Sequence, residues 1–350
     1  MNEGFYSALN RDAADLGVSP MFRHIRPRFD VHVFDSIDST SAQLWRMLAE
    51  GYGAGTVAIA RRQSRGRGQR GRVWQSALGG LYLSLAIEPD WPVAAAGQLT
   101  CSSAWGIATA FNNLGLPVRI RWPNDLFFEG KKLGGILTET KLAQGDVKAS
   151  SALSESQPLP GIKQAVIGVG INWHNPTPTT GISLAKIMEQ VPDSLANIKI
   201  NCLEALGGLV LRGILQGVFF QKRVGSQVFM KDYEKLLTQF GKAVSLDRKL
   251  LARTAACDKS VRTWLEQTGL TSGLIERAAP EAADSQERLL GQLSNCSGEV
   301  VGVSEEGYLR VALRGPPVES LDCKSCENVS LRGVKWEKTE CILLLERRVS

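Results

Sequence analysis

The stretch T-V-A-I-A-R-R-Q-S-R-G-R-G-Q-R-G-R-V-W-Q-S-A-L-G-G-L-Y-L-S-L-A-I, Thr56 to Ile87, joins two apolar runs through a segment of opposite character. Arg61 to Arg72 holds six arginines and three glycines in twelve residues, with no acid among them. Such a segment is either a solvated tail or an anion-binding loop, and the flanks decide between the two. Thr56–Ala60 and Leu81–Ile87 read as buried strands, so the arginines are strung between two parts of a core. Glycines at 66, 68 and 71 allow close backbone approach to a ligand, and the free N–H groups of such a loop can form an anion nest. The expectation is a flexible phosphate-holding loop.

The net charge of +6 equals the charge of this loop alone, which leaves the remaining surface near balance and favours a discrete anionic ligand over general polyanion binding. A chain of 350 residues has room for two domains. No apolar run is read as reaching the roughly 20 residues that span a bilayer, and the N-terminus lacks the pattern of a signal peptide, so no membrane partner and a cytoplasmic location are expected. Seven cysteines, an odd number, fit reduced thiols. Cys323 and Cys326 form a C-x-x-C with no second pair to complete a zinc site.

Working outward, residues 1–30 have weak periodicity and read as an N-terminal extension. V-H-V-F from Val31 is a strand, D-S-I-D-S-T supplies turn and cap residues, and the helix that follows ends at Gly51. A helix covers Ala94–Leu114, and strands are expected at Val118–Trp122, Leu126–Phe128, Leu133–Thr140 and Ala165–Trp173. Gln144–Gly161 reads as a solvent loop and Cys202–Phe240 as helical. Strands dominate with helices that do not strictly alternate, which predicts an α+β fold with a mixed sheet. Beyond residue 240 short strands at 242–247, 298–313 and 328–333 suggest a small β-barrel, interrupted at 248–293 by a charged, alanine-rich insertion and followed by a tail at 335–350.

The order of motifs is more specific than any one of them: D-S-I-D-S-T-S, Q-S-R-G-R-G-Q-R-G-R-V-W, R-W-P-N-D-L-F-F-E-G-K-K-L-G-G-I-L-T-E and I-G-V-G-I-N. The series resembles the biotin protein ligases, strongly over Val31–Trp173 and loosely over Gly298–Gly333. The resemblance implies a catalytic domain at 31–240 of the class II aminoacyl-tRNA synthetase-like, biotin/lipoate ligase type and an SH3-like C-terminal barrel at 241–334. It also implies ATP and biotin as substrates, Mg²⁺ with the ATP, a biotinyl-AMP intermediate, and a lysine of the biotin carboxyl carrier protein of acetyl-CoA carboxylase as acceptor. A homodimer through exposed sheet edges is the family-like assembly.

Biotin's carboxylate must attack the α-phosphate of ATP, anion against anion, so the chemistry needs neutralised and aligned charge more than a strong base. By resemblance, Arg67 sits on the phosphates with Arg70 and Arg72 as supporting charge, and the loop closes to keep water from the mixed anhydride. Lys132 is the candidate that grips both carboxylate and α-phosphate. Alone, Lys131 and Lys132 would read as turn lysines; W-P-N-D ahead and L-G-G-I-L behind reverse that. Asp125 either holds magnesium or pairs with Lys132, and Asn124 orients phosphate. Ser39 and Thr40 match the ureido-binding pair, with Gln63 as a third polar contact and Gly66 beside it, although the same hydroxyls also suit a helix N-cap. Trp74 matches the tryptophan lining the valeryl chain. Gly134, Gly135 and Gly170 admit the ligand to the backbone, and Asn172 closes the nucleotide side.

Two departures stand out. Ser41 replaces a common Asn, and Gln69 replaces the second arginine of the usual G-R-G-R-R-G-R, removing one charge near the adenylate. Family members that repress transcription carry a winged helix-turn-helix before the core, and the 30 residues ahead of Val31 are too few for one, so no DNA partner is expected. Two other readings are weighed: a lipoate or octanoate ligase of related fold, and an R-G-rich RNA-binding segment, which would call for aromatic or arginine repetition elsewhere. A Walker-type loop is excluded because no Gly-Lys-Ser/Thr follows the glycines.

Overall fold

The computed structural model describes residues 2–142, 161–190, 200–245, 297–305, 307–313, 334–337 and 342–345. It divides into two compact units, Met1–Thr238 and Gln239–Arg347. All but the last residue of the solvent loop expected at 144–161, the insertion at 248–293, the C-x-x-C and the strand expected at 328–333 lie outside the described residues.

The first unit is built on a seven-stranded mixed sheet. Its strands are β1 (Asp30–Phe34), β2 (Thr56–Ala60), β3 (Leu81–Ile87), β4 (Arg119–Arg121), β5 (Asp125–Phe128), β6 (Lys131–Leu142) and β7 (Ile162–Ile171), in the order β1-β2-β3-β7-β6-β5-β4. β1 and β2 run parallel and every other neighbour is antiparallel. The helices are α1 (Asn2–Leu9), α2 (Thr40–Ala49), α3 (Ala96–Asn113), α4 (Leu184–Gln190), α5 (Leu203–Val224) and α6 (Ser226–Glu234).

Helices lie on both faces of the sheet, which is why Thr56–Ala60 is buried at every position and reads as a continuous apolar run. On one face α2 packs Leu44, Met47 and Leu48 against Ala58, Ala86 and Val166. On the opposite face, that of Leu81, lie α3 and α5. Those two helices approach through glycines: a Cβ on Gly106 would lie 2.0 Å from the Gly213 carbonyl oxygen, and one on Gly217 would lie 1.9 Å from that of Ser102. By length and composition α5 is apolar enough to cross a bilayer, which corrects the expectation that no such run exists; 72% of its apolar window is buried inside this unit, as in a core helix.

Residues 2–29, read from sequence as an extension, are packed into the unit. Phe5, Ala8, Leu16, Val18 and Phe22 are buried, and a Cβ on Gly207 of α5 would meet the Phe5 ring at 2.6 Å. The weak periodicity has a physical reason: α1 is two turns long and the rest is turns and irregular chain, so neither a 3.6 nor a 2.0 period can develop.

The second unit holds a five-stranded antiparallel sheet of β8 (Ala243–Ser245), β9 (Ser297–Val303), β10 (Leu309–Leu313), β11 (Val334–Glu337) and β12 (Ile342–Leu345), ordered β11-β12-β10-β9-β8. β9 and β10 form a hairpin with a bulge between Arg310 and Val311. β12 pairs with both β10 and β11, so Ile342–Leu345, read as part of a tail, is an interior strand of this sheet.

Candidate active site

Farther along the sheet face that carries α2, two neighbouring strands present glycines. Register places Tyr82, Gly170, Gly135 and Asp125 in one row across β3, β7, β6 and β5. The two adjacent glycines leave a trough in that row, and the side chains around it are the ones the motifs singled out. Trp74 lies over Gly170, where a Cβ would come within 2.5 Å of the indole Nε1. Gly170 is therefore required by the tryptophan, not only by a ligand. The Nε1 is buried and has no hydrogen-bond partner among the described residues.

Lys132 extends over the other end of the trough. Its Nζ is 2.8 Å from Asp125 Oδ1 and 5.2 Å from the centroid of the Trp74 ring. A Cβ on Gly135 would lie 3.3 Å from that carboxylate oxygen and 3.5 Å from Nζ. Trp74, Gly170, Gly135, Asp125 and Lys132 thus form one contiguous site, in which an ammonium is held between an aromatic face and a carboxylate. Asp125 takes the ion-pairing alternative offered by the sequence. Gly134, one residue away, has its Cα turned toward β7, where a Cβ would lie 2.7 Å from the Gly170 carbonyl oxygen.

Backbone bonds fix Lys132. Its N–H donates to the Thr180 carbonyl at 2.9 Å, and its carbonyl accepts from the Ile182 N–H at 3.0 Å. Buried Asn172 donates from Nδ2 toward the carbonyls of Lys132 and Ile182 at 3.4 and 3.3 Å, clamping the segment to the strand. Buried Asn124 donates from Nδ2 to the Ile136 carbonyl at 2.6 Å and accepts from the Ile136 N–H at 3.0 Å through its own carbonyl, pinning W-P-N-D to β6. In this structure both asparagines hold backbone in place. Tyr233 of α6, which the motif reading missed, secures the same turn by donating to the Pro123 carbonyl at 2.8 Å; no local sequence pattern announces a contact 110 residues away.

The arginine segment forms a hairpin. Gln63 pairs with Ser76 and Arg67 with Val73, the Trp74 N–H donates to the Gly66 carbonyl at 2.9 Å, and a 3-10 turn at Gln69–Gly71 forms the tip. A Cβ at Gly66 would lie 2.3 Å from the Trp74 carbonyl oxygen, so only glycine lets the two arms close. The arginines are also partly neutralised from outside the segment. Arg67 makes a two-pronged pair with Glu139, at 2.7 Å and 3.3 Å, and Arg61 lies 3.6 Å from Asp35. Glu139 is a second missed residue; its signal is an acid within a strand of the central sheet, where a carboxylate is buried only with a partner. Arg72 is exposed, the side chain of Arg70 lies outside the described part, and Gln69 is buried with Oε1 unpartnered among the described residues.

At the other side of the hairpin lies a polar network. Gln63 Oε1 accepts from the Thr40 N–H at 2.7 Å and hydroxyl at 3.2 Å, while Nε2 donates to Ser76 Oγ at 2.8 Å. Ser84 donates to Thr40 Oγ1 at 2.8 Å and lies 3.1 Å from Ser41 Oγ. Ser39 caps α2, accepting from the Ala42 N–H at 3.5 Å, as the cap reading expects. Asp38, beside it, is held down to about pKa 2, chiefly by hydrogen bonding from Arg46, with the Ser39 N–H adding to the effect. Among the described residues no three His, Cys, Asp or Glu side chains converge on one point.

The family described as biotin/lipoate A/B protein ligase matches residues 33–154. A bifunctional ligase/repressor BirA of Salmonella typhimurium is 37% identical over 255 residues, covering 69% of this chain and 71% of that protein. Its counterpart in Bacillus spizizenii is 30% identical over 194 residues, covering 54% and 52%; this chain thus spans about half the length of that relative. Among solved structures, the biotin protein ligase of Aquifex aeolicus aligns with a TM-score of 0.50 at 18% identity over 82% of this chain and 95% of its own, a likeness of fold. Motif order and these relatives agree: the chain belongs to the biotin/lipoate A/B protein ligase family and, within it, to the biotin protein ligases.

Proposed function

We propose that this chain is an ATP-dependent biotin ligase. The biotin carboxylate attacks the α-phosphate of ATP to give biotinyl-5'-AMP and pyrophosphate. The amine of a lysine on a biotin carboxyl carrier protein then attacks the acyl carbon, and AMP leaves. The observation that carries this reading is the trough of Gly135 and Gly170 closed by Trp74 at one end and the Lys132–Asp125 pair at the other. It presents an apolar wall for an acyl chain and a fixed ammonium where two anions must meet.

The roles are those the motif resemblance implies, and the arrangement of the side chains supports them. Lys132 Nζ bridges the carboxylate and the α-phosphate, and Trp74 lines the valeryl chain. The ureido edge is met by Ser39 and by the second N–H of Gln63, since Ser76 takes the first. Arg67 exchanges Glu139 for phosphate when the nucleotide enters, and Arg70 and Arg72 add charge at the hairpin tip. Asn124 and Asn172 hold the backbone around Lys132. A magnesium ion arriving with ATP would need only one or two protein carboxylates; Asp125, beside Lys132, would be one to hold it, and the ion would supply charge neutralisation to the phosphates.

The five-stranded sheet of the second unit supports an SH3-like barrel as its fold, and the acceptor is the carrier domain of acetyl-CoA carboxylase. The β4 edge is closed by Leu236–Thr238, which bond to Ile120, so a homodimer through a sheet edge uses β1. The test is ATP–pyrophosphate exchange with biotin, lipoate and octanoate as alternative acids. Exchange with biotin alone is expected; exchange with lipoate or octanoate and none with biotin contradicts the reading.

A further inference from the structure

A concavity of about 610 Å³ lies away from the trough, between α1, the turn after it, the chain at 26–29 and α5. Its lining carries Arg26, Arg28 and Arg212, with Arg11 and one carboxylate, Asp12, at the turn after α1. One Asp12 oxygen is already engaged by the Ala14 N–H at 2.8 Å. Tyr6, Leu9 and Phe29 supply an apolar and aromatic wall.

Arg212 is the informative member. It comes from the middle of the core helix α5 and is only 7% exposed. One terminal nitrogen donates to the Ile25 carbonyl at 2.6 Å, while Nε is buried with no partner among the described residues. Burial and, secondarily, the neighbouring Arg26 both push its pKa below the usual guanidinium value. A guanidinium does not lose its proton in a protein, so the charge remains and its unused donor stays buried. Charges in such surroundings are normally paired. Arg26 bonds backbone carbonyls of Arg23 and Ile25, which orients it without neutralising it.

A cleft with net positive lining, a buried guanidinium that has no carboxylate partner among the described residues and a ring-bearing wall matches one ligand chemistry. Phosphate accepts two-pronged bonds from guanidinium and carries enough charge to offset several arginines at once. The volume falls within the range of small-molecule sites. We propose that this cleft binds a small phosphomonoester with a ring-sized apolar body, its phosphate met by Arg212, Arg26 and Arg28. The proposal does not rest on the ligase reading, because no residue of the trough takes part.

The probe is phenyl phosphate, titrated calorimetrically into the full chain. Saturable binding is expected, weakened about tenfold or more in Arg26→Ala and Arg28→Ala, since each loses a charge-assisted bond. Both are exposed side chains, so these variants keep the test decisive should Arg212→Met fail to fold. Lys132→Ala separates the two sites and should bind phenyl phosphate as the unaltered chain does. Absence of binding overturns the proposal, and so does binding lost in Lys132→Ala but unchanged in the two arginine variants.

Discussion

Lys132 stands where it does because three kinds of group constrain it: backbone partners at Thr180 and Ile182, the Asp125 carboxylate, and the Trp74 ring. Of these, the backbone bonds to Thr180 and Ile182 hold the strand without using the Nζ charge. Lys132→Ala should therefore keep its melting temperature within a few degrees and lose about 10²–10³-fold in adenylate formation, the size expected for a fixed donor at developing charge. Near-normal synthesis of biotinyl-AMP would remove the assigned role. Gly170 tests the opposite wall. With Nε1 2.5 Å from where a Cβ would be, Gly170→Val must displace the Trp74 indole, and KM for biotin should rise about tenfold with a smaller effect on stability. Asp38 offers a pH test. Its carboxyl falls from 3.8 to about 2 on folding, so its contribution to stability is present above pH about 4 and is lost as pH falls through about 2. The stability advantage of the natural chain over Arg46→Ala, seen in thermal melts at pH about 5, should fade toward pH 2; an advantage independent of pH would show that the ion pair is not its source.

At the scale of elements, the arginine hairpin joins the ureido network to the phosphate side. Gln63 bonds Thr40 at the start of α2 and Ser76 on the return arm, and Arg67 reaches across to Glu139 on β6. The strands flanking this segment were legible because each is a short apolar run bounded by turn residues. The hairpin itself was not, because its arms pair through isolated bridges and part of its charge is met by acids outside the segment. Gly66→Ser should splay the arms, since its Cβ would press on the Trp74 carbonyl and Ser76 Oγ. The expected outcome is a several-fold rise in release of activated biotin, read as modification of lysines on an unrelated protein, at a cost in stability of about 1–3 kcal/mol. Unchanged release would mean that the hairpin does not retain the adenylate. The W-P-N-D turn teaches a related point: its motif marked the place, but what secures it, Ile136 and Tyr233, is brought there by the sheet and by α6.

Across the whole molecule, the mixed sheet and the candidate residues were readable because ordered motifs constrain which strands must meet. Residues 2–29 were not, since α1 is short and its role appears only once Phe5 and Leu16 are set against α5. Ile342–Leu345 gave no signal of its own either, because four apolar residues in a tail become a strand only through pairing with β10 and β11. The supporting shell of the site shares this character: Glu139, Ser84 and Tyr233 matter through tertiary partners that local patterns do not encode. The claim that unites these levels is that the trough activates biotin for transfer to one lysine of a carrier domain. Mass spectrometry of a purified biotin carboxyl carrier domain, incubated with this protein, ATP, magnesium and biotin, tests it most directly. One biotin added at one lysine, absent when Lys132→Ala replaces the natural chain, is the predicted result; an unmodified carrier domain, or equal modification by the variant, would contradict it.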